Sequence, residues 1–78
     1  MDNYRAVALA EGFEQTENEE EIIEAWQHLV DSGLAWRLQG YFGRTAIGMI
    51  ADGVINAPSG YQYNPQIRKL SKIEEIEV

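Results

Sequence analysis

The chain of 78 residues contains no cysteine and a single histidine. The first absence removes disulfides as staples, and thiolates as nucleophiles or metal ligands. The second leaves His28 without a companion for a zinc site, and the carboxylates follow neither calcium-loop nor HExxH spacing. Three serines and two threonines stand with no placed base, so a nucleophilic triad is not built. The residues thus point to no enzyme, no cofactor and no metal. Basic side chains are also scarce: six against thirteen acidic ones, for a net charge of −7. Charge of that sign repels phosphate backbones and anionic lipid at long range and favours basic partners. No apolar run approaches the ~20 residues that a membrane-spanning helix needs. Met1-Asp2-Asn3-Tyr4 has neither the basic start nor the apolar stretch of a secretory signal. A cytoplasmic protein without membrane contact is expected.

What is present is helix-forming. A chain this short buries roughly 60–65% of its unfolded surface, so its core is small and a partner would help it. Residues 3–11, NYRAVALAE, are strong helix formers between an N-cap at Asp2 and a stop at Gly12, with Tyr4, Val7, Ala8 and Phe13 as the apolar side. The charge run EQTENEEE follows, in which Thr16 with Glu19, or Asn18 with Glu21, forms a capping box. Its carboxylates gather where the helix dipole favours them. A second helix is predicted over Glu19–Ser32, with Ile22, Ile23, Trp26, Leu29 and Val30 in one stripe and Gly33 just past its end.

LAWRLQ, residues 34–39, reads as a short helical or irregular linker, with Trp36 joining Trp26 in the core. A third helix is predicted from Gly43 to Asp52, with Ile47, Ile50, Ala51 and Val54 on one face and Gly53 ending it. Gly48 inside that helix suggests close approach by a neighbour. NAPSGYQYNP reads as a surface loop. Asn64-Pro65 then reads as the start of a last helix carrying Ile67, Leu70, Ile73 and Ile76. Its charges run against the helix dipole, so a tail strand or a partner-ordered segment stays open. The expected fold is a small all-α domain of three to four short helices. Residues 1–57 form its helical core, and residues 58–78 a turn-rich linker and C-terminal segment.

The stretch LQGYFGRTA, residues 38–46, concentrates the candidate site: Arg37, Gln39, Tyr41, Arg44 and Thr45. Gly43-Arg44-Thr45 at a helix start has some features of a phosphate loop, but the GxxxxGK[ST] spacing is missing. Gly40-Tyr41-Phe42-Gly43 is a GxxG like the backbone clamp of a KH domain, with aromatics where basic residues belong. A helix-turn-helix would present Arg44 as its one basic reader. Against these stands a helix-to-helix corner in which the glycines permit reversal, Tyr41 and Phe42 plug the junction, and Arg44 or Thr45 ties off carbonyls. Glu14, Glu17, Glu19, Glu20, Glu21 and Glu24 offer a third class, an acidic mimic of nucleic acid.

The stretch VDSGLAWRLQGYFGRTAIGMIADGVI, residues 30–55, resembles a family of short uncharacterised proteins of tailed phages and prophages. Their signature is D-[ST]-G-L-A-W-x-L-Q-G-x-[FY]-G-R-T-A. Asp31, Ser32, Gly33, Leu34, Ala35, Trp36, Leu38, Gln39, Gly40, Phe42, Gly43, Arg44, Thr45 and Ala46 match it. The resemblance implies a phage-type origin, in a bacterial host's cytoplasm, and supplies no catalytic residues. Residues and resemblance together lead us to expect a non-enzymatic accessory protein acting through protein–protein contacts, on a host or phage protein or as a homodimer. The dimer would use the Ile22/Trp26 stripe, the Ile47/Ile50 face or the C-terminal Ile/Leu row. Nucleic-acid binding through the GYFGRT stretch is the alternative.

Overall fold

A computed structural model describes residues 1–73. Four helices, α1 (Asn3–Glu11), α2 (Glu19–Asp31), α3 (Leu34–Arg37) and α4 (Gly40–Ala51), precede two strands, β1 (Tyr61–Asn64) and β2 (Lys69–Lys72). The fold is mostly helical but not all-α.

The first two helices begin and end where their capping residues dictate. Asp2 Oδ1 accepts from the Arg5 amide at 2.7 Å, and Gly12 closes α1 with a φ of +82°. Of the two candidate caps for α2, Asn18 is the one used: its Oδ1 accepts from the Glu20 amide at 3.0 Å. Thr16 Oγ1 instead holds the Asn18 amide, at 3.1 Å. At the other end Gly33 takes φ +83° and its amide donates to Val30 O at 3.1 Å.

The α2 stripe faces inward as its period predicts: Trp26, Leu29 and Val30 are buried, with Ile22 and Ile23 half-buried beside them. Most of the stripe is therefore spent inside the monomer. Helix α1 meets it through Ala6 and Leu9, not through Tyr4 and Phe13, which are 86% and 82% exposed. Small residues at 6 and 10 bring α1 close to α2, and that rotation sends Tyr4 to the far side.

Helix α4 starts at Gly40, three residues earlier than its pattern suggests, because Phe42 belongs to its inner face with Ala46 and Ile50. The Phe42 ring lies 5.8 Å from that of Trp26. Ile47 is half-buried, while Ala51 and Val54 are exposed. Gly48 has open space around it, so no neighbour approaches there. Trp36 is also not in the core: α3 is a single turn, it buries Ala35, and Trp36 is left 39% exposed.

Residues 56–60 form the expected loop, but the rest of the predicted loop and the last helix are replaced by a hairpin, the open strand alternative being realised in β2. Strands β1 and β2 are antiparallel, pairing Tyr61 with Lys72 and Tyr63 with Leu70. Tyr63 and Leu70 are half-buried against the helical core, and Gln62, Lys69 and Ser71 alternate with them. Asn64-Pro65 starts the turn instead of a helix: Asn64 Oδ1 accepts from the Gln66 amide at 2.9 Å, and Arg68 adopts φ +54°. Of the C-terminal apolar row, Ile67 and Ile73 are exposed; Ile76 lies outside the described residues.

The Gln27 side-chain amide joins α2 to the chain after α4. Its Oε1 accepts from the Asn56 amide at 2.7 Å, and its Nε2 donates to Asn56 O at 3.1 Å. His28, on the next position of α2, meets Asn3 Oδ1 at 2.7 Å, a contact that fixes α1 against α2. The molecule measures 48 × 22 × 22 Å.

Candidate functional site

The candidate residues of LQGYFGRTA are arranged by the helix they belong to. Gly40 to Gly43 form the first turn of α4, so there is no glycine loop to clamp a phosphate or a nucleotide backbone. Tyr41 is 48% exposed and stands edge-on to Phe42 and Trp26, with ring centres 5.3 and 6.3 Å away. Arg44 is exposed one turn later and curls back over Gly40: a Cβ built there would lie 2.9 Å from Arg44 Nη1. Tyr41 and Arg44 thus share the start of α4. Arg37 ends α3 in solvent, Gln39 occupies the α4 N-cap without a side-chain bond, and Thr45 is half-buried. The reversal itself is made at Leu38 and Gln39, which are extended, and not at the glycines.

A groove of about 600 Å³ opens on a different side of the same elements. Val30 and Asp31 from the last turn of α2, Trp36 from α3 and Ile47 from α4 form its helical walls. Pro58, Tyr61, Lys69 and Leu70 close it from the hairpin side. Trp36 and the Ala35 carbonyl oxygen lie beside Gly43 of α4, at 3.6 Å from where a Cβ would stand, an ordinary van der Waals distance.

The lining is apolar with a polar margin. Among the lining residues Asp31 is the one carboxylate, and its Oδ1 accepts from Gln27 Nε2 at 3.1 Å. Ser32 Oγ donates to Leu29 O at 3.3 Å. A concave, mostly apolar lining with a few polar groups is the general character of ligand sites. Among the described residues no group of three His, Asp or Glu side chains lies where it could hold a metal ion, and no helix is long and apolar enough to cross a membrane.

Charge is uneven along the chain. Residues 1–33 hold nine carboxylates and one arginine, residues 53–73 hold three basic residues, Arg68, Lys69 and Lys72, and no carboxylate, and three glutamates, Glu74, Glu75 and Glu77, follow them in the sequence. Within the acidic part Arg5 bridges Glu14 at 2.9 Å and Glu21 at 3.2 Å. The hydrogen bond from Arg5 to Glu14, and then the charges of Glu14 and Glu21, raise the Arg5 pKa further above its ordinary value.

The groove is hidden in the sequence because its walls come from five separate segments. Residues 30–33, Trp36 and Ile47 flank the LQGYFGRTA motif, but the hairpin wall lies far from it and reads as loop and helix. The alternation of Tyr61, Tyr63 and of Leu70, Lys72 is the signal available for it. No curated protein and no solved structure matches the chain at a significant level. A family profile described as "Domain of unknown function (DUF7417)" does match, over residues 7–67, most of the helices and the first half of the hairpin, and the chain belongs to that family.

Proposed function

We propose that this protein is a non-enzymatic accessory protein of phage type that acts in the host cytoplasm by binding a segment of another polypeptide. The observation that supports it is the groove: about 600 Å³, walled by Val30, Trp36, Ile47 and Leu70, with Lys69 and Asp31 at its margin. Partner segments that anchor in such grooves do so through one or two apolar side chains, the margin setting orientation. Ile47→Glu places a carboxylate in the apolar wall. Affinity capture from host lysate is expected to recover a partner with the wild-type chain and to lose it with Ile47→Glu, circular dichroism remaining helical. Equal capture by both would remove the groove from the function.

A second reading, binding to nucleic acid, draws support from the hairpin, whose Arg68, Lys69 and Lys72 are half of the chain's six basic residues, although Glu74, Glu75 and Glu77 follow them in the sequence. Fluorescence anisotropy with single- and double-stranded oligonucleotides at about 50 mM salt tests it, since phosphate contacts weaken steeply as salt rises. Binding that Arg68→Ala and Lys69→Ala reduce would favour this reading over the first.

A further inference from the structure

A single exposed aromatic ring is ordinary on a protein surface. Phe13 differs in its setting. It is 82% exposed, it follows the left-handed Gly12 that ends α1, and it sits between Glu11 and Glu14. Arg5 holds Glu14 and Glu21 together, which fixes the residue next to Phe13 against the first turn of α2. The ring is thus an apolar knob on an anchored, acidic base.

The groove has the opposite character. Its walls are apolar, Lys69 lies on its margin, and the hairpin that forms one side is basic. Its carboxylate, Asp31, already accepts from Gln27. Knob and groove cannot meet within one chain. Phe13 is held at the start of α2 and the groove lies at its end, about 18 Å away along a helix of 13 residues.

We infer that Phe13 of one copy docks in the groove of a second copy, and that the exchange is reciprocal. This rests on reading the groove as a polypeptide-binding site and names its occupant. Two such contacts related by a two-fold axis close a dimer, because each copy offers both the knob and the hole. The molecule is about twice as long as it is wide. Two copies lying antiparallel therefore bring the acidic end of each beside the basic hairpin of the other, the arrangement that charge complementarity favours.

Sedimentation and light scattering test this on the full chain. The wild type is expected to be dimeric at about 100 µM, the range of weak, small interfaces. Phe13→Ser, a change on an exposed side chain, is expected to raise the dissociation constant about tenfold or more, as loss of an anchor residue does. Ile47→Glu should do the same from the groove side. Mixing the two variants should recover part of the association, since one intact knob then meets one intact groove. A wild type that stays monomeric, a Phe13→Ser variant that associates as tightly as the wild type, or a mixture that yields no heterodimer would each overturn the proposal. A monomeric wild type whose partner capture is still lost with Ile47→Glu would leave the groove reading standing and remove only the second copy. Oligonucleotide binding that Lys69→Glu abolishes, with no dimer at any concentration, would assign the basic hairpin to nucleic acid instead.

Discussion

Gly33 and Gly48 place opposite demands on the backbone, and the same substitution should move stability in opposite directions. Gly33 has φ +83°, which L side chains adopt at a cost of roughly 1–2 kcal/mol. Gly33→Ala is therefore expected to destabilise by about that amount in urea unfolding. Gly48 lies in the middle of α4, exposed, with no atom within 4 Å of an added Cβ. Gly48→Ala should stabilise by about 0.5–1 kcal/mol, the helix-propensity difference, with no steric contact to oppose it. The sequence marks both glycines, but it does not say which is held by geometry and which is free. The pattern after Gly33 breaks cleanly and identifies it as a stop; Gly48 looks like a packing glycine until the neighbouring space is known. Arg44 is a similar case. Its residue type suits either a carbonyl tie or a binding contact, and only the structure shows it exposed, with its guanidinium over Gly40.

Elements whose boundaries are written in local chemistry are legible in the sequence, and those that depend on distant partners are not. Helices α1 and α2 can be placed from Asp2, Gly12, Asn18 and Gly33 because caps act over three or four residues. Asn18→Ala removes the acceptor for the Glu20 amide and is expected to cost about 1 kcal/mol in thermal or urea unfolding. The hairpin is obscured by Asn64-Pro65, which serves a helix start or a turn equally well, and by Ile67, Leu70 and Ile73 at a spacing that mimics a helix face. What decides between them is the apolar surface that receives Tyr63 and Leu70, and that surface belongs to residues far away in the sequence. Leu70→Asp would put a charge at that contact. It should lower stability by about 1–2 kcal/mol and shift the fluorescence of Trp36 to the red as the groove opens, while far-ultraviolet dichroism stays helical. Unchanged emission would mean that the hairpin does not hold the groove closed.

At the scale of the whole molecule the strongest influence is the uneven distribution of charge. Nine carboxylates against one arginine in residues 1–33 repel one another across two packed helices, and Arg5 relieves that repulsion chiefly at Glu14 and Glu21. Salt should then act in two senses. Screening reduces self-repulsion within the acidic half and so favours the fold. The same screening weakens attraction between the acidic end of one copy and the basic hairpin of another. The two effects overlap in the wild type, because dissociating a dimer lowers its melting temperature while relief of repulsion raises it. Phe13→Ser separates them, since it removes the anchor of the association and leaves every charge in place. Raising sodium chloride from about 20 mM to about 500 mM shortens the screening distance from roughly 20 Å to roughly 4 Å. Over that range the melting temperature of Phe13→Ser should rise, and the dimer dissociation constant of the wild type should increase. A Phe13→Ser variant whose melting temperature falls with salt would mean that its charges stabilise the monomer on balance. The acidic half would then be a set of paired side chains, not a surface held ready for a basic partner.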